Sequence, residues 1–61
     1  MRLIDVKRNG TRKTEIYLHD NCKYEVFCFV NNSLSRPAKS FKSRNKALTY
    51  ANTFLNREPM K

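Results

Sequence analysis

The chain has 61 residues, 13 of them Lys or Arg and five Asp or Glu, which gives a net charge of +8. A single small domain over 1–61 leaves little room for a walled catalytic pocket, so these figures argue against an enzyme and favour an anionic partner. No apolar run approaches the length of a membrane span, and the first residues lack a signal core, so we expect a cytoplasmic protein without a membrane partner.

The first two predicted strands, over 2–8 and 11–19, form a hairpin around Asn9-Gly10, which is a strong turn signal. A two-residue loop at Asn9-Gly10 would separate the apolar residues of the two strands onto opposite faces. A three-residue loop over 8–10, with Gly10 in the left-handed conformation, would keep them together, because a shift of one residue turns every side chain over. We therefore expect the three-residue loop. The residues it places on one face are Ile4, Val6, Ile16 and Leu18.

The third predicted strand, over 22–30, is apolar on both sides at its end, which is typical of a central strand with both faces occupied. Phe27 and Phe29 face one way, and Tyr24 and Val26 face the other. A two-residue Asp-Asn loop before this strand would place the phenylalanines with Ile16, and a three-residue loop would do the opposite. The pattern leaves both arrangements open.

The last two elements are a short edge strand and a helix. Pro37 confines any strand over 34–40 to an edge, and Ser43 is a suitable N-cap for a helix over 43–57. The predicted fold class is α+β, with an antiparallel sheet of three to four strands packed on one face by a single C-terminal helix (β-β-β-(β)-α). The apolar stripe of the helix consists of Ala47, Leu48, Ala51, Phe54 and Leu55.

Nothing in the sequence indicates catalysis, a metal or a cofactor. Cys22 and Cys28 on one extended strand lie roughly 20 Å apart, so an intramolecular disulfide is disfavoured and both are expected as reduced thiols. These two cysteines and the single His19 fall short of a zinc set. Glu15 and Glu25 lie on adjacent strands near cations, which favours ion pairing over acid–base chemistry.

Two basic clusters are the candidate binding residues. Residues 31–61 contain seven basic residues and one acidic residue, and this asymmetry is typical of a protein with a polyanionic partner. The helix dipole disfavours cations at a helix start, whereas the free N–H groups there accept phosphate. The predicted phosphate contacts are Lys7, Arg8, Arg12 and Lys13 at the hairpin tip, and Lys39, Lys42, Ser43, Arg44 and Lys46 around the helix start.

A third candidate surface is the sheet face that the helix leaves uncovered. Aromatic side chains on such a face can stack on bases, or they can bury an interface between two copies of the chain. The residues considered for either role are Tyr17, Tyr24, Phe27 and Phe29.

The segment from Tyr24 to Phe54 resembles the arm-type DNA-binding domains of phage and transposon integrases. The matching motif is Phe41-Lys42-Ser43-Arg44-Asn45-Lys46-Ala47, although members of that family usually have a glycine where this chain has Ser40. The resemblance implies a sheet that enters the major groove, with phosphate contacts from Lys42, Arg44 and Lys46 and groove contacts from Arg12 and Lys13. In length the chain is also similar to stand-alone phage accessory proteins.

These observations predict a small nucleic-acid-binding protein without enzymatic activity, with DNA favoured over RNA. The alternative is an accessory or inhibitor protein that binds an acidic protein through its basic surface or its open sheet face. A homodimer that buries the open face is compatible with either function.

Overall fold

Five strands and one helix make up residues 1–56, the part of the chain that the computed structural model describes. All strand pairings are antiparallel: β1 pairs with β2, β2 with β3, and both β4 and β5 with the far edge of β3. This architecture confirms the predicted α+β class; the last predicted helical residue, Arg57, lies outside the described residues. The elements are β1 (Arg2–Asn9), β2 (Arg12–Leu18), β3 (Tyr24–Val30), β4 (Ser33–Leu34), β5 (Lys39–Phe41) and α1 (Arg44–Leu55).

The first hairpin differs from the expected three-residue loop, and that prediction is wrong. Asn9 pairs with Arg12, so the loop is Gly10-Thr11, with Gly10 at φ +62°. A two-residue loop with glycine at its first position is typical of the type II′ turn, which is one of the favoured hairpin connections. A β-bulge between Leu3 and Asp5 changes the register instead, so Ile4 still packs against the core, whereas Val6 is 49% exposed on the other face.

The loop between β2 and β3 resolves the alternative that the sequence left open. His19 and Lys23 flank a three-residue loop, with backbone hydrogen bonds of 2.9 Å from His19 N to Lys23 O and from Cys22 N to His19 O. Cys22 adopts a left-handed conformation at φ +65°. Ile16 therefore pairs with Val26 beneath α1. Because side chains alternate along a strand, the two phenylalanines of β3 face the opposite side, which we call the open face.

The edge strand predicted over 34–40 is divided in two. Asn31 and Asn32 form a tight loop with φ of +53° and +66°, which asparagine tolerates, and β4 follows directly. Ser35 N still donates a hydrogen bond of 2.8 Å to Cys28 O of β3, after which the chain leaves the edge over 36–38 and returns as β5, which pairs with the start of β3. Pro37 in the gap has no N–H to donate to a strand partner, which explains the interruption.

The core lies between the sheet and α1. Ala47 and Ala51 are fully buried and allow the helix backbone to approach β3 closely. Ser43 has extended backbone angles at the predicted N-cap position, although its side chain makes no cap hydrogen bond. No helix within residues 1–56 is long and apolar enough to cross a membrane. The buried apolar residues are Ile16, Val26, Cys28, Ala47, Ala51, Phe54 and Leu55.

Candidate functional site

The β1–β2 pairing distributes the hairpin cations over two faces. Lys7 pairs with Thr14, which is buried beneath α1, so Lys7 lies on the helix side of the sheet. Arg8 pairs with Lys13, whose Nζ lies 3.2 Å from Glu15 Oε2 on the open face. We call Lys7, Arg8 and Lys13 the hairpin-tip cluster.

Arg12, the fourth predicted phosphate contact of the hairpin, makes intramolecular contacts at the end of α1. Its Nη1 donates a hydrogen bond of 3.0 Å to the carbonyl of Phe54, and its guanidinium lies 5.0 Å from the centre of the Phe54 ring. Beside it, Asn9 Nδ2 donates to the carbonyl of Leu55 at 2.8 Å. The last carbonyls of a helix have no intrahelical partner and attract cations, so Arg12 and Asn9 cap α1.

Removing this cap should weaken the fold. We expect Arg12→Gln to lower the free energy of unfolding by about 1–3 kcal/mol, because a charge-assisted hydrogen bond and a cation–π contact are lost together. Urea denaturation followed by circular dichroism measures the change. Arg8→Gln is the matched control, since Arg8 is exposed and makes no described hydrogen bond or ion pair. Equal midpoints for the two variants would contradict a capping role for Arg12.

The second predicted cluster surrounds the start of α1. The first turn contains no acidic residue, and Lys42, Arg44 and Lys46 are all exposed. The Ser43 side chain makes no cap hydrogen bond, so it leaves the first N–H groups of α1 without an acceptor at the N-cap position. Together with Lys39 on β5, these three cations form what we call the helix-start cluster.

Sequence reasoning missed Arg36, which extends this basic surface along α1. Its Nη1 donates a hydrogen bond of 3.2 Å to Tyr50 Oη, and its guanidinium lies 5.2 Å from the centre of the Phe54 ring. Lys39 Nζ lies 5.7 Å from the centre of the Tyr50 ring. The hydrogen bond with Tyr50 raises the pKa of Arg36. Arg36 belongs to an irregular segment without periodicity, so no sequence pattern indicated its position.

An open groove follows the outer side of α1 next to these cations. The volume of this groove is about 430 Å³. Its residues recur at helical spacing, so the groove runs along the helix axis. The lining residues are Asn45, Lys46, Thr49, Tyr50 and Thr53.

The open face brings together three of the four aromatic residues considered for stacking. The rings of Tyr17 and Phe27 meet edge to face at 5.4 Å, and Lys13 Nζ lies 4.7 Å from the centre of the Phe29 ring. Tyr24 lies on the other side of the sheet, where it packs against the core. The aromatic set is therefore divided between the two faces.

Two of the four acidic residues within 1–56 lie on the open face. Tyr17 Oη donates to Glu15 Oε1 at 3.0 Å, and this hydrogen bond raises the pKa of Tyr17. Glu25 Oε1 lies 2.7 Å from His19 Nε2. Exposed apolar side chains surround these pairs, so the open face is mixed in character and carries both signs of charge. The exposed apolar residues there are Leu3, Val6 and Leu34.

The cations elsewhere have few acidic neighbours. Within residues 1–56, Lys13 is the single Lys or Arg side chain, of eleven, that lies within 4.0 Å of a described carboxylate. The same range contains no group of three His, Cys, Asp or Glu residues placed to hold a metal ion. Cys22 is exposed and Cys28 is buried, and both are free thiols.

Comparison with known proteins does not connect the chain to a family. No family model matches it, and the searches of curated proteins and solved structures found no match.

Proposed function

We propose that this protein is a nucleic-acid-binding protein without enzymatic activity, with DNA as the favoured partner. The observation that carries the proposal is the surplus of unpaired charge: ten of the eleven Lys and Arg side chains within residues 1–56 have no described carboxylate within 4.0 Å. Neighbouring cations without a carboxylate partner repel one another in the free protein. Binding along a row of phosphates would relieve this repulsion and release counterions condensed on the nucleic acid.

The distribution of charge favours the helix side as the binding surface. Glu15 and Glu25 on the open face would repel phosphates, whereas Lys7, Arg36 and Lys39 lie on the helix side or at its edge. The integrase resemblance implies groove contacts by Arg12 and Lys13, but these side chains already contact Phe54 and Glu15. Arg8 pairs with Lys13 and so belongs to the open face, and the proposal therefore relies on Lys7 at the hairpin tip, together with the helix-start cluster.

The two clusters lie at opposite ends of α1. Asn9 contacts the carbonyl of Leu55, so the hairpin tip is beside the last turn of the helix, and the other cluster surrounds the first turn. A helix of 12 residues is about 18 Å long, which corresponds to about five base-pair steps of duplex DNA. With a longest extent of 39 Å, the domain is long enough for both clusters to reach one duplex.

Salt dependence tests this proposal. If roughly five phosphates are neutralised, log K should fall with log[salt] at a slope of about −4 to −5, so affinity for duplex DNA should drop by more than about 100-fold between about 50 and 200 mM salt. Fluorescence anisotropy with duplex DNA, single-stranded DNA and duplex RNA measures the effect. No binding at the lower salt concentration, or binding that salt does not weaken, would overturn the proposal. The basic surface would then serve an acidic protein partner.

A further inference from the structure

The outer side of α1 carries amide and hydroxyl side chains where an exposed helix normally carries charges. No charged residue occurs over 47–56, although 30% of the chain is charged. Positions 45, 49, 52, 53 and 56 follow helical spacing and form one stripe along the helix. The residues of this stripe, all exposed, are Asn45, Thr49, Asn52, Thr53 and Asn56.

Stability of the isolated domain does not explain this stripe. Asparagine and threonine are weaker helix formers than alanine, lysine or glutamate, so the four positions of the stripe within α1 could each hold a residue that favours the helix more; Asn56 is the C-cap residue. None of the five side chains forms a hydrogen bond with another residue in the described range. The stripe therefore presents unused hydrogen-bonding groups to the surroundings at a cost to helix stability.

The groups around the stripe suit a phosphate backbone on either side of it. Lys46 belongs to the adjacent groove, and Arg36 and Lys39 lie beside Tyr50 on the β5 side of α1. Lys7 lies on the helix side of β1, at the end of the sheet that contacts the last turn of α1. The glutamates of β2 and β3 are on the opposite face of the sheet.

We propose that α1 enters the major groove of duplex DNA and that Asn45, Thr49 and Asn52 contact base edges there. The major groove, about 12 Å wide, admits an α-helix, and an asparagine amide can bond to both N6 and N7 of adenine. The major groove of duplex RNA is too deep and narrow for such a contact. This inference rests on the proposed function. It adds that the major groove is the binding site, that α1 contacts the bases, and that binding depends on the DNA sequence.

The experiment is a selection from a random duplex DNA library with the 61-residue chain. We expect enrichment of a site of about four to five base pairs, bound at least 10-fold more tightly than a scrambled duplex. The variant N45A/T49A/N52A should lose this preference but keep the affinity for scrambled DNA within about two-fold, because the phosphate contacts are untouched. Alanine favours the helix, so the variant should fold, and circular dichroism checks this. Ser40→Ala, an exposed hydroxyl deletion on β5, is the control.

Each result distinguishes the inference from the proposed function. Salt-dependent DNA binding without an enriched sequence would overturn the base contacts and leave the proposed function standing. The same conclusion would follow if the triple variant kept the preference, or if it lost affinity equally for the selected and scrambled duplexes. Tighter binding to duplex RNA than to duplex DNA would also overturn it. Absence of binding to any nucleic acid would overturn both.

Discussion

Replacing Phe54 with alanine is expected to unfold most of the protein at room temperature. The Phe54 side chain is 3% exposed and belongs to the core between α1 and the sheet. The guanidinium groups of Arg12 and Arg36 lie 5.0 and 5.2 Å from the centre of its ring. Truncation of a buried phenylalanine costs about 3–5 kcal/mol, which is comparable to the whole stability of a domain of this size.

Urea denaturation followed by circular dichroism measures this effect. Leu34→Ala is the matched control, because it also deletes apolar atoms but at a side chain that is 54% exposed, and we expect it to change stability by no more than about 0.5 kcal/mol. A cooperative transition of Phe54→Ala at the wild-type midpoint would contradict the assigned core. A large loss of stability in Leu34→Ala would indicate that the open face is covered in solution, as in a homodimer.

The elements that the sequence predicted well depend on local patterns. The stripe Ala47, Ala51, Phe54 and Leu55 has helical spacing, and these residues are buried. The sequence pattern misplaces the first loop because nothing in it indicates that the alternation of Ile4 with the second strand is interrupted. The bulge between Leu3 and Asp5 interrupts it, and the shift at that point makes a bulged turn at Gly10 unnecessary.

The faces of the sheet could not be predicted, for a physical reason. Which side of β3 meets the helix depends on whether the preceding loop has two or three residues, and the observed loop requires Cys22 in a left-handed conformation. Such a conformation is unusual for a residue other than Gly, Asn or Asp, so composition gave no signal. The separation of Tyr24 from Phe27 and Phe29 follows from this one loop.

The candidate site was predictable where it depends on chain position and was missed where it depends on distant contacts. Lys42, Arg44 and Lys46 surround a helix start that the sequence indicates directly. Arg12 contacts a carbonyl 42 residues away, and Arg36 contacts a hydroxyl 14 residues away. No local sequence pattern predicts such contacts. The contact with the Phe54 carbonyl shows that Arg12 caps the helix, and without it Arg12 cannot be distinguished from a cation that is available to a ligand.

The variant R44Q/K46Q is expected to bind duplex DNA roughly 50-fold more weakly than the wild type at about 100 mM salt. Each lost phosphate contact should make the salt slope less steep by about one, so the slope should change by about two. The fold should not suffer, because Arg44 and Lys46 lie in the first turn of α1, where cations are unfavourable by a few tenths of a kcal/mol each. Weaker binding is therefore expected together with equal or slightly higher resistance to urea.

The control for this experiment is R2Q/K23Q, which also removes one arginine and one lysine and so gives the same net charge. Arg2 and Lys23 are exposed and lie outside both basic clusters. If the position of the charges matters, the control should retain the wild-type slope, and its affinity should fall by only a few-fold through the lower overall charge. Equal losses in the two variants would show that DNA responds to net charge alone, and the helix-start cluster would then lose its assignment as the phosphate-binding surface.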